Sequence, residues 1–258
     1  MSDLSDAVEV AKVAGQLLPQ TMATVDSVVS SVVGVFELLM YPIKKANIEF
    51  KYKLEQFALD LQGKIEARKK GAIIEPAIEI VGPVLEAMRY TIDNKDLREL
   101  YMELLVTASD EKREKLVHPS YVEVIRRMNS FDAKLFRFLA PNKGYVLAAN
   151  PKIHINGLNQ YFVNAMPDWF VSPPDFADDI FMLSASLVRL EQFGLLDLMY
   201  DRSASEADYS WVLNSPLLQK QVRDFTGGKL NNVSIQFTRS VVMVNDNGRQ
   251  FAAACGII

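Results

Sequence analysis

Of the 258 residues in this chain, His118 is the strongest candidate for catalytic chemistry. A catalytic histidine needs a nucleophile to activate and an acid that orients its ring. The only other histidine is His154, and the only cysteine, Cys255, lies three residues from the end of the sequence. This inventory contains no recognisable nucleophile signature. We therefore expect a protein that is not an enzyme.

The segment around His118, KLVHPSYVEVIRRM, also fits the beginning of a helix. Ser120 and Glu123 form the S-x-x-E pattern of a capping box directly before an apolar run. Pro119 stands just before this cap and restricts the incoming chain. We predict that His118 hydrogen-bonds at the junction. The candidate structural or interaction residues of this segment are His118, Pro119, Ser120 and Glu123.

Metal and phosphate chemistry have few candidate ligands in the sequence. Structural zinc needs about four Cys or His ligands, and the chain has three, widely spaced. The stretch TGGKLNN (226–232) lacks the spacing of a phosphate-binding loop and indicates a turn. The 32 acidic residues are typical of solvated helix faces. The sequence predicts no cofactor and no metal, with a carboxylate-bound Mg²⁺ left open.

A second polar group lies in the segment IIEPAIEIVGPVLEAMRY. Pro76 suits the first position of a helix, and Pro83 predicts a kink or break. Glu86 and Arg89 have the i, i+3 spacing of an ion pair on one helix face. Glu75, Pro76 and Glu86 are candidate interaction residues. A carboxylate-based enzymatic site here is the third hypothesis for function.

Composition and charge narrow the class of protein. Hydrophobic residues make up 49% and charged residues 23% of the chain, which is typical of a globular protein. The net charge of −4 argues against broad, non-specific nucleic-acid binding. A single cysteine cannot form an intramolecular disulfide, and the opening MSDLSDAVEV does not resemble a secretory signal. We expect a cytoplasmic protein.

Residues 1–46 are the most apolar part of the sequence. The run TVDSVVSSVVGVFELLMYPI predicts an amphipathic helix, ended by Pro42. Its charged residues, Asp26 and Glu37, leave too short an apolar run for a simple membrane span. The stripe could face protein, as core or subunit interface, or it could face lipid. Its members are Val25, Val28, Val29, Val32, Val33, Phe36, Leu39 and Met40.

Residues 47–128 carry the pattern of a helical bundle. One seam recurs at steps of three and four residues and consists of Phe50, Leu54, Phe57, Leu61 and Ile65. A later helix should begin at a capping box formed by Asp93 and Asp96. Its apolar face comprises Leu97, Leu100, Tyr101, Leu104, Leu105 and Ala108.

Residues 129–258 mix helix and strand signals. The stretch GYVLAANPKIHING predicts short strands or loops, and Asp175 or Asp178 should begin a helix. The order helix, strand, paired strands, helix is winged-helix-like, with a turn of the wing at Arg239 and Ser240. The helix in the reading position has one basic residue, Arg189, and the wing adds Lys229 and Arg239. Protein interaction is therefore favoured over nucleic-acid binding.

Several blocks together resemble the abortive-infection alpha (Abi-alpha) family of bacterial phage-defence proteins. They are IIEPAIEIVGPVLEAMRY, LRELYMELLVTASD, VHPSYVEVIRRMNSFDAKLFRFL, LVRLEQFGLLD and NGRQFAAAC. The resemblance begins at about Phe50 and implies a role in limiting phage spread at the cost of the infected cell. It supplies no established catalytic residues.

The expected fold is mainly α within the α+β class. It comprises an apolar helical segment (1–46), a helical bundle (47–128) and a winged-helix-like α+β domain (129–258). The expected function is non-enzymatic phage defence through protein partners or a homo-oligomer, in the cytoplasm. Peripheral association with the inner face of the membrane through residues 1–46 is left open. The alternative is a nucleic-acid-binding regulator that uses the C-terminal domain.

Overall fold

A computed structural model describes residues 23–44, 48–68, 71–142, 144–157, 160–162, 165–173, 175–200, 202, 207–228 and 232–258. The described residues up to Ser130, together with Phe251–Ile257, form one compact unit, and Phe131–Gln250 form a second. The first unit is helical, whereas the second combines helices with an antiparallel sheet. The predicted class, mainly α within α+β, is confirmed.

The described helices follow one another in this order: α1 (Val25–Lys44), α2 (Ile48–Arg68), α3 (Ile78–Thr91), α4 (Lys95–Ala108), α5 (Ser120–Arg127), α6 (Ser130–Leu139), α7 (Ile180–Gln192), α8 (Ser210–Leu213), α9 (Pro216–Thr226) and α10 (Asp246–Ala254). The described strands are β1 (Tyr145–Ile155), β2 (Gln160–Phe162), β3 (Phe170–Val171), β4 (Leu196–Met199) and β5 (Val233–Val244).

Helices α1 and α2 pack against each other through one side each. Val28, Val32 and Phe36 recur every four residues on α1, and each is at most 2% exposed. Phe36 meets Phe57 of α2 edge-on, with ring centroids 5.4 Å apart. This part of the predicted stripe is therefore buried in protein. Pro42 was predicted to end the helix, but α1 continues past it to Lys44.

None of the helices in the described ranges combines the length and apolarity that a bilayer-spanning segment needs. The predicted seam on α2 is confirmed where its side chains are described, since Phe57, Leu61 and Ile65 are at most 2% exposed. The side chains of Phe50 and Leu54 lie outside the described residues.

The segment before α3 differs from the prediction at Pro76. Helix α3 begins at Ile78, so Pro76 lies two residues upstream of it. The cap residue, Ala77, is still extended, with a ψ of 136°, so Pro76 lies outside the helix. Pro83 does not break α3, which runs on to Thr91.

Helix α4 is the most buried helix of the first unit, and its predicted apolar face is confirmed. Its beginning was wrongly assigned to Asp93. The cap is Asn94, whose side-chain oxygen accepts a hydrogen bond from the backbone N–H of Leu97 at 3.3 Å. Asp93 instead pairs with Lys53 at 2.8 Å. Adjacent Asp and Asn residues can both cap a helix, and here Asn94 is the one that directly precedes the first helical residue, Lys95.

The sheet of the second unit has the strand order β2-β1-β5-β4, and β3 pairs with β1 beside this path. Strands β1 and β5 pair antiparallel over their length, from Tyr145 opposite Met243 to Ile155 opposite Val233. Strand β1 is one strand of 11 residues, where the sequence predicted short strands or loops. Pairing with β5 carries it through Pro151.

The turn predicted at Arg239 and Ser240 is wrong. Both residues lie inside β5, opposite Ala149 and Ala148 of β1. Ser240 is fully buried, and its hydroxyl donates a hydrogen bond to the side-chain oxygen of Asn150. A wing with its turn at this point therefore does not form, and the winged-helix-like arrangement stays a prediction.

The ends of α7 and α9 follow ordinary capping chemistry. Asp179 begins α7, accepting hydrogen bonds from the backbone N–H groups of Phe181 (2.8 Å) and Met182 (3.0 Å). The sequence predicted Asp175 or Asp178, so the cap lies one residue after the second of these. Helix α9 begins after Ser215 and ends at Gly227, whose positive φ of 56° suits glycine.

Candidate functional site

The His118 ring closes the turn that leads into α5. Its Nδ1 atom accepts a hydrogen bond from the backbone N–H of Ser120 at 3.1 Å and lies 2.7 Å from the Ser120 hydroxyl oxygen. With Nδ1 as the acceptor, the proton of the neutral ring lies on Nε2, and the backbone N–H and the Ser120 hydroxyl share the single lone pair of Nδ1. The backbone carbonyl of His118 accepts from Tyr121 N–H at 2.9 Å. His118 therefore acts as Asn or Asp does at the beginning of a helix.

The predicted capping box between Ser120 and Glu123 does not form. Helix α5 begins at Ser120, and its cap residue, Pro119, makes no side-chain capping bond. Ser120 is already helical, so its hydroxyl turns back to His118. Glu123 lies 3.5 Å from Arg126 instead, in an exposed i, i+3 pair.

Ser120 and His118 have the atoms of a nucleophilic dyad without its surroundings. A catalytic histidine has one ring nitrogen free to take a proton and the other held by an acid. Here the backbone shares Nδ1, and within the described part of the chain neither ring nitrogen bonds to a carboxylate. The described residues also contain no group of three or more His, Cys, Asp or Glu that could hold a metal ion. This geometry favours a structural role for His118.

Buried aromatic side chains lie next to this turn in the first unit. Tyr121 packs edge-on against Phe251, with ring centroids 5.4 Å apart. Tyr101 of α4 is fully buried, and its hydroxyl has no hydrogen-bond partner among the described residues. Burial raises the pKa of Tyr101 far above its ordinary value, and the Arg126 charge offsets only part of this. The phenol therefore stays protonated near neutral pH.

A buried carboxylate, Glu103 of α4, forms the centre of a charge cluster in the first unit. Its side chain is 3% exposed, and its two oxygens lie 2.8 Å from Lys64 Nζ and 2.7 Å from Arg68 Nη1. Lys64 also contacts Glu99 at 2.5 Å. Burial lowers the pKa of Lys64, but the hydrogen bonds and charges of Glu103 and Glu99 outweigh this and raise it above its ordinary value. Lys64 thus keeps its positive charge near neutral pH.

Two arginines, one of which belongs to the Glu103 cluster, hydrogen-bond to residues 251–257. Arg68 Nη1 donates to the carbonyl oxygen of Gly256 at 3.2 Å, and Arg113 donates to that of Ala253 at 2.9 Å. Both cations thus meet carbonyls at or just beyond the end of α10, where the helix dipole favours positive charge. Gly256 has a positive φ of 63°, and a Cβ there would collide with Arg68 and Glu103.

Sequence reasoning missed this cluster because its members are far apart along the chain. Glu103 lies 39 residues from Lys64 and 35 from Arg68. Two weak signals were present. Glu103 stands in the apolar run LYMELLV, and Lys64 and Arg68 are one helical turn apart beside the α2 seam.

Arg189 is committed to a buried ion pair in the second unit. Its Nη2 and Nε atoms lie 2.7 and 3.1 Å from Oδ1 of Asp132, whose side chain is 1% exposed. The Ser186 hydroxyl donates to the same carboxylate at 2.6 Å. A groove-reading Arg would need its guanidinium free. Of the predicted wing cations, Lys229 lies outside the described residues, and Arg239 lies 5.4 Å from the Tyr209 ring centre.

The remaining candidate residues do not come together. Glu75 and Glu86 are exposed, and Pro76 is buried. No hydrogen bond or ion pair of the described residues joins the two glutamates, nor does Glu86 pair with Arg89 as the spacing suggested. Arg89 instead lies 5.6 Å from the centre of the Tyr90 ring. No polar site forms at the predicted kink.

Comparison with known proteins identifies the family. The sequence profile of the abortive infection alpha family matches residues 49–255, which is most of the chain. The protein therefore belongs to this family, as its sequence blocks predicted. No curated protein and no solved structure matches it. The family name connects the chain with abortive infection.

Proposed function

We propose that this protein limits phage propagation without catalysis, through contacts with protein partners. The observation that carries the proposal is the abortive infection alpha match over residues 49–255. The match includes the His118 turn, the Glu103 cluster and the Asp132–Arg189 pair. Membership in this family supports a defence role.

Three polar groups inside the match support the non-catalytic part of the proposal. His118 caps the beginning of a helix, Glu103 is neutralised by two cations, and Asp132 holds Arg189 at two points. Each group is used in a bond that stabilises the fold. A catalytic acid or base would instead have a free proton-accepting or donating atom in reach of a substrate.

Protection against phage is the direct test. Bacteria that carry the full chain should give fewer plaques with at least one phage of a broad panel, and infected cells should die before they release progeny. Unchanged plating and survival across the panel would contradict the defence role.

Two His118 variants separate a structural from a catalytic role. The side-chain oxygen of His118→Asn can accept at the same turn, so this variant should keep protection. His118→Ala should lose stability, and protection should fall only as far as the level of folded protein falls. A folded His118→Asn protein without protection would show that the imidazole is needed beyond its part in the turn and would contradict a purely structural role.

The proposed function includes, as a separate question, whether residues 1–46 associate with the membrane. The buried side of α1, formed by Val28, Val32 and Phe36, is not available to lipid while the first unit is folded. Flotation of the full chain with vesicles of phosphatidylethanolamine and phosphatidylglycerol tests this part. Protein that stays with the vesicles at high salt would support apolar insertion. Protein that stays at the bottom of the gradient would exclude it.

A further inference from the structure

One surface of the second unit combines exposed apolar side chains with carboxylates. Phe176, Phe181 and Met182 are 39%, 42% and 40% exposed. Asp175, Asp178 and Asp179 are exposed and interleaved with them along the chain. We call these six residues the acidic–apolar patch.

The acidic–apolar patch is held in place by buried neighbours. Ala177 and Ile180, which alternate with its members, are each 5% exposed and anchor the segment. Phe131 of α6 meets Phe176 edge-on, with ring centroids 5.6 Å apart. Asp179 caps α7 by accepting from the two N–H groups of Phe181 and Met182. The apolar side chains therefore project from a fixed support.

The charge of the patch selects its partner. Asp179 is used as the helix cap, but Asp175 and Asp178 have no ion-pair partner within the described part of the chain. Unpaired carboxylates beside apolar side chains repel an acidic partner and attract a cationic one. Exposed apolar groups rimmed by polar residues mark interaction surfaces. Both features are complementary to a segment that carries Lys or Arg together with apolar residues.

We propose that the acidic–apolar patch docks a cationic, apolar segment of another protein. This inference rests on the proposed function, because it names the surface through which a defence protein of this kind contacts its partner. The two aromatic rings and the methionine supply the apolar contact, and the two unpaired aspartates set the sign of the charge that is accepted.

A synthetic helical peptide built of Leu and Lys serves as the probe. Its binding to the full chain is measured by fluorescence anisotropy at 0.15 and 0.5 M salt, concentrations chosen to span screening lengths of about 8 to 4 Å. A Leu–Glu peptide tests the sign of the charge, and a Ser–Lys peptide tests the apolar part. The Leu–Lys peptide should bind, and both controls should not.

Two patch variants and two matched controls locate the binding. Phe181→Ser and the double variant Asp175→Asn with Asp178→Asn should each raise the Kd about tenfold, as loss of a strong interface contact does. Leu213→Ser and Asp224→Asn change an equally exposed leucine and an exposed aspartate of the same unit. These controls should bind like the original protein. Equal weakening by patch and control variants, or none by the patch variants, would overturn the docking surface.

Phage plating distinguishes failure of this inference from failure of the proposed function. Peptide binding at the patch without phage protection by the full chain would overturn the defence role and leave the docking surface standing. Phage protection by the full chain, together with peptide binding that the patch variants leave unchanged, would overturn the docking surface and leave the defence role standing.

Discussion

Asp132 and Glu103 are both buried carboxylates, but the two units neutralise them differently. Asp132 meets two nitrogens of a single guanidinium, that of Arg189. Glu103 meets two separate cations, Lys64 and Arg68, through one nitrogen each. A planar guanidinium matches a carboxylate in direction as well as charge, whereas an ammonium acts as a point charge. The first site therefore depends on the shape of one side chain, and the second on the total positive charge nearby.

The difference also shows what each site stabilises. The Asp132 pair joins α6 to α7 inside the second unit. The Glu103 cluster joins α2 to α4 and holds residues 251–257 through Gly256. Damage to the first site should appear as loss of stability of its unit. Loss of contacts in the Glu103 cluster should appear first as release of residues 251–257.

Arg189→Met should give the largest effect, because Asp132 would stay buried without its cation. Breaking a buried ion pair from one side costs about 3–5 kcal/mol. We expect the lower limit, since the Arg189 side chain is 34% exposed. Urea unfolding followed by tryptophan fluorescence measures this directly, because Trp169 and Trp211 both lie in the second unit.

Arg223→Met is the matched control for Arg189→Met. Arg223 is an exposed cation of α9 in the same unit, and its replacement should change the free energy of unfolding by less than about 0.5 kcal/mol. Equal midpoints for the two variants would show that the Asp132 pair contributes nothing beyond a surface charge.

Features that depend on neighbouring residues could be predicted from the sequence. The α2 seam of Phe57, Leu61 and Ile65 follows from helical periodicity alone. Helix α9 likewise stops at Thr226, with Gly227 as its cap, in the stretch TGGKLNN that the sequence predicts to be a turn. The predicted helix entry at His118 and its hydrogen bond there are confirmed, whereas the predicted capping box between Ser120 and Glu123 does not form.

Features that depend on distant residues could not be predicted. Ser240 looked like a turn residue, but its partner Asn150 lies 90 residues away, and pairing with β1 makes it a strand residue. Asp93 has the chemistry of a cap, but it pairs with Lys53 of α2, and Asn94 caps the helix. Glu103 gives only a weak signal in the sequence, because its two cations lie on α2. In each case the deciding contact lies on another element.

Gly256→Ala should give the next largest effect, and it tests the Glu103 cluster. The positive φ of 63° is strained for alanine, and the new Cβ would displace Arg68 or Glu103. Cys255 is 1% exposed, so the rate at which a thiol reagent modifies it reports opening of this segment. Loss of about 1.4 kcal/mol of local stability corresponds to a tenfold faster reaction.

Gly82→Ala is the control for this variant. Gly82 lies in α3 of the same unit, and a Cβ there would meet nothing within 4 Å. This variant should leave the Cys255 reaction rate unchanged. An unchanged rate in Gly256→Ala as well would mean that residues 251–257 are not held by the Glu103 cluster.

Exchange of Arg for Lys should give the smallest effects, and it separates the two sites most sharply. Arg189→Lys keeps the charge but loses the two-point contact with Asp132, so the free energy of unfolding of the second unit should fall by about 1 kcal/mol. Arg68→Lys keeps the charge beside Glu103 and gives up the weaker bond to the Gly256 carbonyl. Since the Arg68 side chain is 40% exposed, its exchange should cost less than about 0.5 kcal/mol. Tryptophan fluorescence measures the first variant, and the Cys255 reaction rate measures the second. Equal losses at both sites would mean that total charge, rather than the shape of the guanidinium, stabilises Asp132 as it does Glu103.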